Sequence, residues 1–260
     1  MKCTAIVLAA GQGKRMNSNI QKQFLMIKGK PVLYYSLAVF EQSPEIEEIV
    51  LVTGKDCIEY CKKEIIDLYG FQKVKKIAAG GRERYDSVYA GLCACEDCDY
   101  VFIHDGARPF VTEAMIKRTK EAVEKYGACI AGMPSKDTVK LADENGMVAN
   151  TPKRSQVWTI QTPQVFSYSL IREAHEKARQ YDMKEITDDS MLVERYGKVP
   201  VCLVEGAYEN LKITTPEDIL VAEKILEKKF LKSLDISCQY MVIYYLSLTK
   251  RGYGEISKWS

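Results

Sequence analysis

Residues 4–16 read TAIVLAAGQGKRM, and this stretch decides the fold. Thr4–Ala9 is a short apolar, β-branched run, the pattern of a buried strand. It runs directly into a turn with glycines at positions 11 and 13. Glycines after a first strand allow phosphate to approach the backbone, whose N–H groups form an anion cradle. Two familiar loops are excluded by inspection. A dinucleotide fingerprint needs glycine where Met16 stands and an acidic residue where Thr53-Gly54 closes the second strand. A Walker A loop needs Ser or Thr after Gly13-Lys14, where Arg15 stands. What remains is a glycine turn flanked by two cations, Arg15 and Lys22.

Downstream the strand-then-helix rhythm repeats. Strand-like segments at 48–53, 73–78, 100–104, 128–133 and 199–204 alternate with helix-like segments at 31–41, 56–69, 87–95, 112–126, 168–181, 188–196 and 216–229. Thr112 is placed to cap its helix. This rhythm predicts an α/β fold with a mainly parallel sheet covered by helices on both faces. It breaks at 134–161, where Thr138–Leu141 and Val157–Ile160 flank Asp143-Glu-Asn-Gly146, a hairpin-turn pattern. That segment reads as a protruding β-hairpin arm. Residues from about Phe230 have no clear place in the pattern. The expected organisation is one domain over 1–229, with the arm at 134–161, and a C-terminal extension of unknown role over 230–260.

Composition narrows the function. The 260 residues are 47% hydrophobic and 28% charged, which is globular, and 37 Lys plus Arg against 35 Asp plus Glu give a net charge of +2. So even a balance argues against a general polyanion-binding surface and against nucleic acid; phosphate recognition has to be local. The pattern of a signal peptide is absent, and Tyr240–Leu248 is far shorter than the roughly 20 residues that span a bilayer. A cytoplasmic protein with no membrane partner and reduced thiols is expected, and its nine cysteines cannot all pair within the chain. Cys93-x-Cys95-x-x-Cys98, with Cys57 and Cys61, has the residue type of a zinc site. The tight first spacing, the missing second C-x-x-C and the presence of only His104 and His175 favour ordinary thiols.

Three further clusters carry chemistry. FIHDGARP at 102–109 ends a strand with an acid followed by a base; Asp105 suits a divalent ion or a ribose hydroxyl, and Arg108 suits a phosphate through its fork. GGRERYDS at 80–87 offers small residues and a hydroxyl beside a base or phosphate. ENLKITTP at 209–216 brings Lys212 to a strand end.

Together, AAGQGKRM, KQF, GGRERYDSV, HDGARPF, PSKDTVK, TPQVF, ITDDS and VEGAYENLKITTPED resemble the 2-C-methyl-D-erythritol 4-phosphate cytidylyltransferase family of the non-mevalonate isoprenoid pathway, from Ala5 to about Glu227. The resemblance implies a Rossmann-like nucleotidyltransferase fold that joins CTP to a sugar-alcohol phosphate, giving a CDP-alcohol and pyrophosphate with Mg²⁺. Arg15, Lys22 and Lys212 would be catalytic. Ala9, Ala10, Gly11, Gly13, Gly80, Asp86 and Ser87 would hold the nucleotide. Asp105, Arg108, Thr138, Arg154, Thr162 and Thr187 would surround the second substrate, with Asp105 also the metal ligand. A homodimer interlocked through the arm is implied as well. The chain departs from the family pattern at four positions: Gln21 replaces a usual proline, Gly106 a common alanine, Lys153 an acid and Glu209 an aspartate. A ribitol 5-phosphate cytidylyltransferase shares the loop and the TPQ motif, but HDGARP and PSKDTVK favour the erythritol phosphate. A non-catalytic nucleotide sensor on the same fold is the reading from another class, against which the intact cations speak.

Overall fold

The computed structural model of the chain describes residues 1–11, 20–181, 183 and 185–231. The strands are β1 (Cys3–Ala9), the short β2 (Met26–Ile27) and β3 (Lys30–Pro31), β4 (Glu48–Thr53), β5 (Val74–Ala79), β6 (Tyr100–Asp105), β7 (Ala128–Pro134), β8 (Leu141–Ala142), β9 (Val148–Asn150), β10 (Trp158–Ser167) and β11 (Cys202–Glu205). The helices are α1 (Val32–Gln42), α2 (Ile58–Cys61), which continues as a wider-turned Lys62–Asp67, then α3 (Arg84–Ala94), α4 (Glu113–Tyr126), α5 (Tyr168–Ala178) and α6 (Asp189–Leu192).

Seven strands form the central sheet in the order β11-β7-β10-β6-β1-β4-β5. β1 pairs parallel with both β4 and β6, β4 with β5 and β11 with β7, while β10 runs antiparallel between β6 and β7. Alternation along β1 splits the core. Ala5 and Val7 pack on one face with Leu33, Leu37 and Phe40 of α1 and Ile116 and Val123 of α4. Ile6 packs on the other with Val88 and Leu92 of α3 and Ile171 and Ala174 of α5. A Cβ on Gly91 would meet Ile6 Cγ2 at 2.5 Å, so glycine is what lets α3 lie so close to the sheet. Thr112 caps α4 as expected, its hydroxyl accepting from Met115 N at 3.3 Å.

The chain order turns back at β1. After β1 the chain builds β4 and β5 on one side, then crosses to lay β6 on the other. Open α/β sheets bind ligands at such a reversal, beyond the carboxyl ends of the strands. The turn after β1 and Asp105 at the end of β6 both lie there.

The arm differs from the expectation. The hairpin is smaller, with Leu141 and Ala142 pairing with Asn150 and Val148. Its turn is built by Asp143, whose Oδ1 accepts from Asn145 N and Met147 N, and by Gly146 at φ +78°. The expected second arm strand belongs instead to the central sheet: Trp158, Thr159 and Ile160 pair with Pro134, Met133 and Gly132. The extended pattern does not stop at Gln161 but continues through TPQVF, so 158–167 is one strand reaching up to the arm.

By compactness the chain divides into Met1–Thr215 and Pro216–Ser260. In the second unit residues 216–231 are helical; the rest of the expected 230–260 extension lies outside the described residues. Among those described, no helix is long and apolar enough to cross a membrane.

Candidate active site

A cleft of about 620 Å³ opens at the strand-order reversal. Ala10 and Gly11 reach it from the end of β1, Lys22 and Gln23 from the following turn, Asp105 from the end of β6, and Lys212 from the extended segment after β11. The four clusters picked out of the sequence therefore meet in one place. Four basic side chains (Lys22, Arg82, Arg84, Lys212) face two acidic ones (Glu83, Asp105) in the lining, the balance expected of a site for a polyanion. Gly13 and Arg15 lie outside the described residues.

Asp105 is the hub. Its Oδ2 lies 2.8 Å from Lys212 Nζ and 3.8 Å from Arg108 Nε, and its Oδ1 3.2 Å from Arg84 Nε. Burial alone would raise its pKa, but the charges of Arg84, Lys212 and Arg108 outweigh it and hold the carboxyl far below the usual range. Arg84 also reaches Asp189 Oδ2 at 2.8 Å. Asp189 is 1% exposed and has this one close cation among the described residues, so burial wins and its pKa is raised. One guanidinium thus spans two carboxylates of opposite character.

A hydrogen-bond chain fixes Asp105 from behind. Asp105 N donates to Thr162 Oγ1 at 3.1 Å, and Thr162 Oγ1 lies 3.0 Å from His104 Nδ1, whose Nε2 lies 3.1 Å from the Arg108 carbonyl. A carbonyl only accepts, so Nε2 carries the ring proton and Nδ1 takes the Thr162 hydroxyl proton. Burial pushes the His104 pKa down to about 4, which keeps this neutral arrangement. Thr162 is 3% exposed and its proton is committed. Arg108 donates to the carbonyls of Asn210 at 2.8 Å and Ile160 at 3.4 Å, and burial lowers its pKa. These two expected ligand residues stand behind the cleft as its scaffold, not in its lining.

The 80–87 segment shows the same division. Ser87 lines the cleft, accepting from Gly81 N at 3.2 Å and donating to the Glu83 carbonyl at 3.2 Å. Gly80 lies behind it, where a Cβ would collide with the Ala10 side chain. Asp86 is occupied elsewhere. It completes the capping box of α3 through Glu83 N at 3.3 Å and pairs with Arg179 at 3.2 Å. The other residues that line the cleft here are Gly81, Arg82 and Arg84, which belong to the cluster expected beside a base or phosphate, and Glu83, to which the sequence pattern assigns no role. A signal existed for Arg84. It opens α3, where the helix dipole disfavours a cation, and Asp105 and Asp189 offset that cost.

Ala9 is buried and offers only its carbonyl, which accepts from Gln23 Nε2 at 2.6 Å. Thr187 is exposed ahead of α6, its hydroxyl 3.0 Å from Met191 Sδ. Thr138 and Arg154 are exposed on the arm and do not line this cleft.

Mg²⁺ requires oxygen ligands, which in this cleft are carboxylates. Among the described residues no three His, Cys, Asp or Glu side chains converge, so no all-protein cage forms there. Mg²⁺ commonly sits on one or two carboxylates plus substrate phosphates; the ionised Asp105 is such a carboxylate, and because Lys212 and Arg84 hold its two oxygens at 2.8 and 3.2 Å it would take the metal by exchanging one of them. Three of the cysteines in the candidate zinc set bond within the protein. Cys95 Sγ donates to the Gly91 carbonyl at 3.3 Å, Cys98 Sγ to that of Tyr100 at 3.2 Å, and Cys61 Sγ lies 3.5 Å from Thr53 Oγ1.

The family model for 2-C-methyl-D-erythritol 4-phosphate cytidylyltransferase matches residues 3–228. Proteins of that name from Lachnoclostridium phytofermentans and Clostridium botulinum (strain 657 / Type Ba4) are 52% and 53% identical, each over 87% of this chain and over 97% and 98% of their own length. The solved 4-diphosphocytidyl-2C-methyl-D-erythritol synthase from Anaerococcus prevotii is 38% identical with a TM-score of 0.77, covering 87% of this chain and 96% of that one.

Proposed function

The chain belongs to the 2-C-methyl-D-erythritol 4-phosphate cytidylyltransferase family, and on that premise we propose how its cleft carries out the reaction. CTP and the alcohol phosphate are joined to give the CDP-alcohol and pyrophosphate. An oxygen of the alcohol phosphate attacks the α-phosphorus of CTP; the bond to the β-phosphate bridging oxygen breaks, and pyrophosphate leaves with that electron pair. The attacking phosphate is already an anion, so no general base is needed. Catalysis comes down to alignment and to charge stabilisation.

The backbone of Ala10, Gly11 and Gly13 receives the triphosphate, while Arg15, Lys22 and Lys212 meet the charge that grows around the α-phosphorus. Asp105 would hold Mg²⁺, whose chemistry is to neutralise phosphate oxygens. The cytidine lies against the Gly80–Gly81 turn and Ser87, and Gly81 and Arg82 take the place expected for Asp86. Arg108 and Thr162 act by holding Asp105 and the neighbouring strand ends. Thr187 stands at the rim for the alcohol phosphate.

Thr138 and Arg154 serve a second subunit. The arm exposes Leu141 at 50%, Met147 at 67% and Val148 at 63%. A two-stranded hairpin with such a face is marginal in water and needs a partner; a two-fold copy offering the same arm is the simplest closed arrangement. Charged, freely diffusing substrates suit a cytoplasmic enzyme.

The observation that carries this reading is the meeting of the glycine turn, Lys22, Asp105 and Lys212 on one cleft. A pyrophosphate-release assay tests it. Release should require both CTP and 2-C-methyl-D-erythritol 4-phosphate and should exceed that with ribitol 5-phosphate or with ATP. Equal kcat/KM across nucleotides, or CTP binding without release, would overturn it.

A further inference from the structure

We propose that Gln23 is the positioning residue of the CTP turn: its buried amide, braced by Gln21, ties the carbonyls of Ala9 and Gly11 away from the triphosphate. This rests on the reading of the glycine turn as the CTP site.

Gln23 is 2% exposed. Its Nε2 lies 2.6 Å from the Ala9 carbonyl, 3.2 Å from the Gly11 carbonyl and 2.6 Å from Gln21 Oε1. All three are acceptors, so the NH₂ end of the amide must face them. A leucine would fill similar space and leave the Gly11 oxygen without this donor beside a site built for an anion, and the Ala9 oxygen with the longer contact from Thr53 Oγ1 at 3.4 Å. A carbonyl oxygen directed at a triphosphate repels it. Because C=O and N–H of one peptide point in opposite directions, tethering the oxygens also fixes the direction of the N–H groups. Ala10 and Gly11 are therefore aimed before the nucleotide arrives.

Two further observations link the tether to chemistry. Gln23 shares one tight helical turn, Lys22–Phe24, with the cation proposed for the α-phosphate, so the same side chain sets where Lys22 stands relative to the glycines. Phe24 is 9% exposed and meets the Tyr60 ring edge-on at 5.0 Å, which anchors that turn. Gln21, the departure from the proline of the resemblance, keeps φ −63° and ψ 138°, angles that proline also adopts. The substitution preserves the entry geometry and adds a brace: Gln21 Oε1 shares the two protons of the Gln23 NH₂ with the backbone carbonyls, while Gln21 Nε2 lies 3.5 Å from Cys57 Sγ.

The test is steady-state pyrophosphate release by the full chain and by Gln23→Glu and Gln23→Met, with the KM for each substrate measured separately and thermal unfolding recorded. Both variants should raise the KM for CTP about tenfold or more while the KM for the alcohol phosphate is unchanged. For Gln23→Glu the KM for CTP, relative to wild type, should fall back as pH is lowered. A protonated carboxyl can donate one of the lost bonds, and the thioether of Gln23→Met cannot. Unchanged CTP KM in both variants overturns the proposal; so does an equal rise in both KM values with a lower melting temperature, the mark of a packing role. In the wild-type protein without nucleotide, the Gln23 side-chain amide protons should exchange slowly by NMR. Rapid exchange overturns the proposal even if no variant folds. A wild-type chain that releases no pyrophosphate from CTP would sink the CTP reading itself, and this proposal with it.

Discussion

Lys212 sets its ammonium 2.8 Å from Oδ2 of Asp105. A cation proposed for the α-phosphate is thus paired inside the protein, and an incoming phosphate must compete with a carboxylate for it. Asp105→Asn keeps the shape and removes that competitor, but it also strips three cations of their common anion. Turnover should fall on the order of 10²–10³, and the melting temperature should fall as well, because Arg84 and Arg108 are left as partly buried, under-compensated charges. The stability loss has a definite pH dependence. The folded pKa of Asp105 is depressed, so its contribution is present above the unfolded value near 3.9 and is lost as pH falls below it. Wild type and variant should therefore converge in stability in strong acid. A constant gap in melting temperature from neutral pH to below that value would contradict the charge account.

Arg84 offers a double-mutant test. Arg84→Met leaves Asp189, 1% exposed, without its cation, a loss of about 3–5 kcal/mol where an unpaired charge stays buried. Asp189→Asn in that background should recover part of the stability but little activity, since Asp105 still lacks its Oδ1 partner. A chemical-denaturation cycle should give a coupling of about 0.5–3 kcal/mol. Additive losses would mean that the 2.8 Å contact contributes nothing.

The two histidines set the acid limit from the other side. Burial pushes His104 down to about 4, and burial with Arg179, Arg84 and Arg172 pushes His175 down to about 3, while Asp189 Oδ1 lies 4.0 Å from His175 Nε2. Both stay neutral when folded and titrate near 6.5 when unfolded, so the unfolded chain binds more protons in between. Stability is full above about pH 6.5 and drops towards pH 4 by up to about 1.4 kcal/mol per pH unit for each ring. Neither nitrogen of His175 has a hydrogen-bond partner among the described residues, and the ring lies 6.0 Å from that of Tyr89. His175→Phe should flatten this slope and raise stability at pH 5. An unchanged slope in thermal melts between pH 7.5 and 4.5 would clear His175 of any part in it.

How much of this was legible in the residues depended on whether they spoke locally. The run from Thr4 to Gly11 announces a strand and a phosphate turn by itself, and HDGARP announces a strand end by its abrupt change from apolar to charged. Thr162 and Asp86 come in as ligand groups through the family resemblance alone, because a hydroxyl or a carboxylate in a sequence looks the same wherever it points. Only the fold shows that one hydroxyl is committed to His104 Nδ1 and one carboxylate to a helix cap. The path of 158–167 was hidden for a related reason. TPQVF carries a family motif in the sequence, and the pairing that makes it a central strand lies with residues more than twenty positions away.

The last prediction concerns which subunit the arm serves. Thr138 and Arg154 sit outside the lining of their own cleft, on an arm whose apolar residues are exposed. If they act on a two-fold partner's substrate, Lys22→Ala and Arg154→Ala chains, each nearly inactive alone, should complement one another. In the mixed dimer, one cleft keeps Lys22 and receives an intact arm, while the other has lost both. Random exchange makes half of the dimers mixed with one working site of two, or roughly a quarter of wild-type activity. Lys22→Ala alone should melt like wild type, since what it removes is charge at the reacting phosphate rather than core. No recovery after exchange verified by mass would place Arg154 in its own subunit's reaction or outside the chemistry.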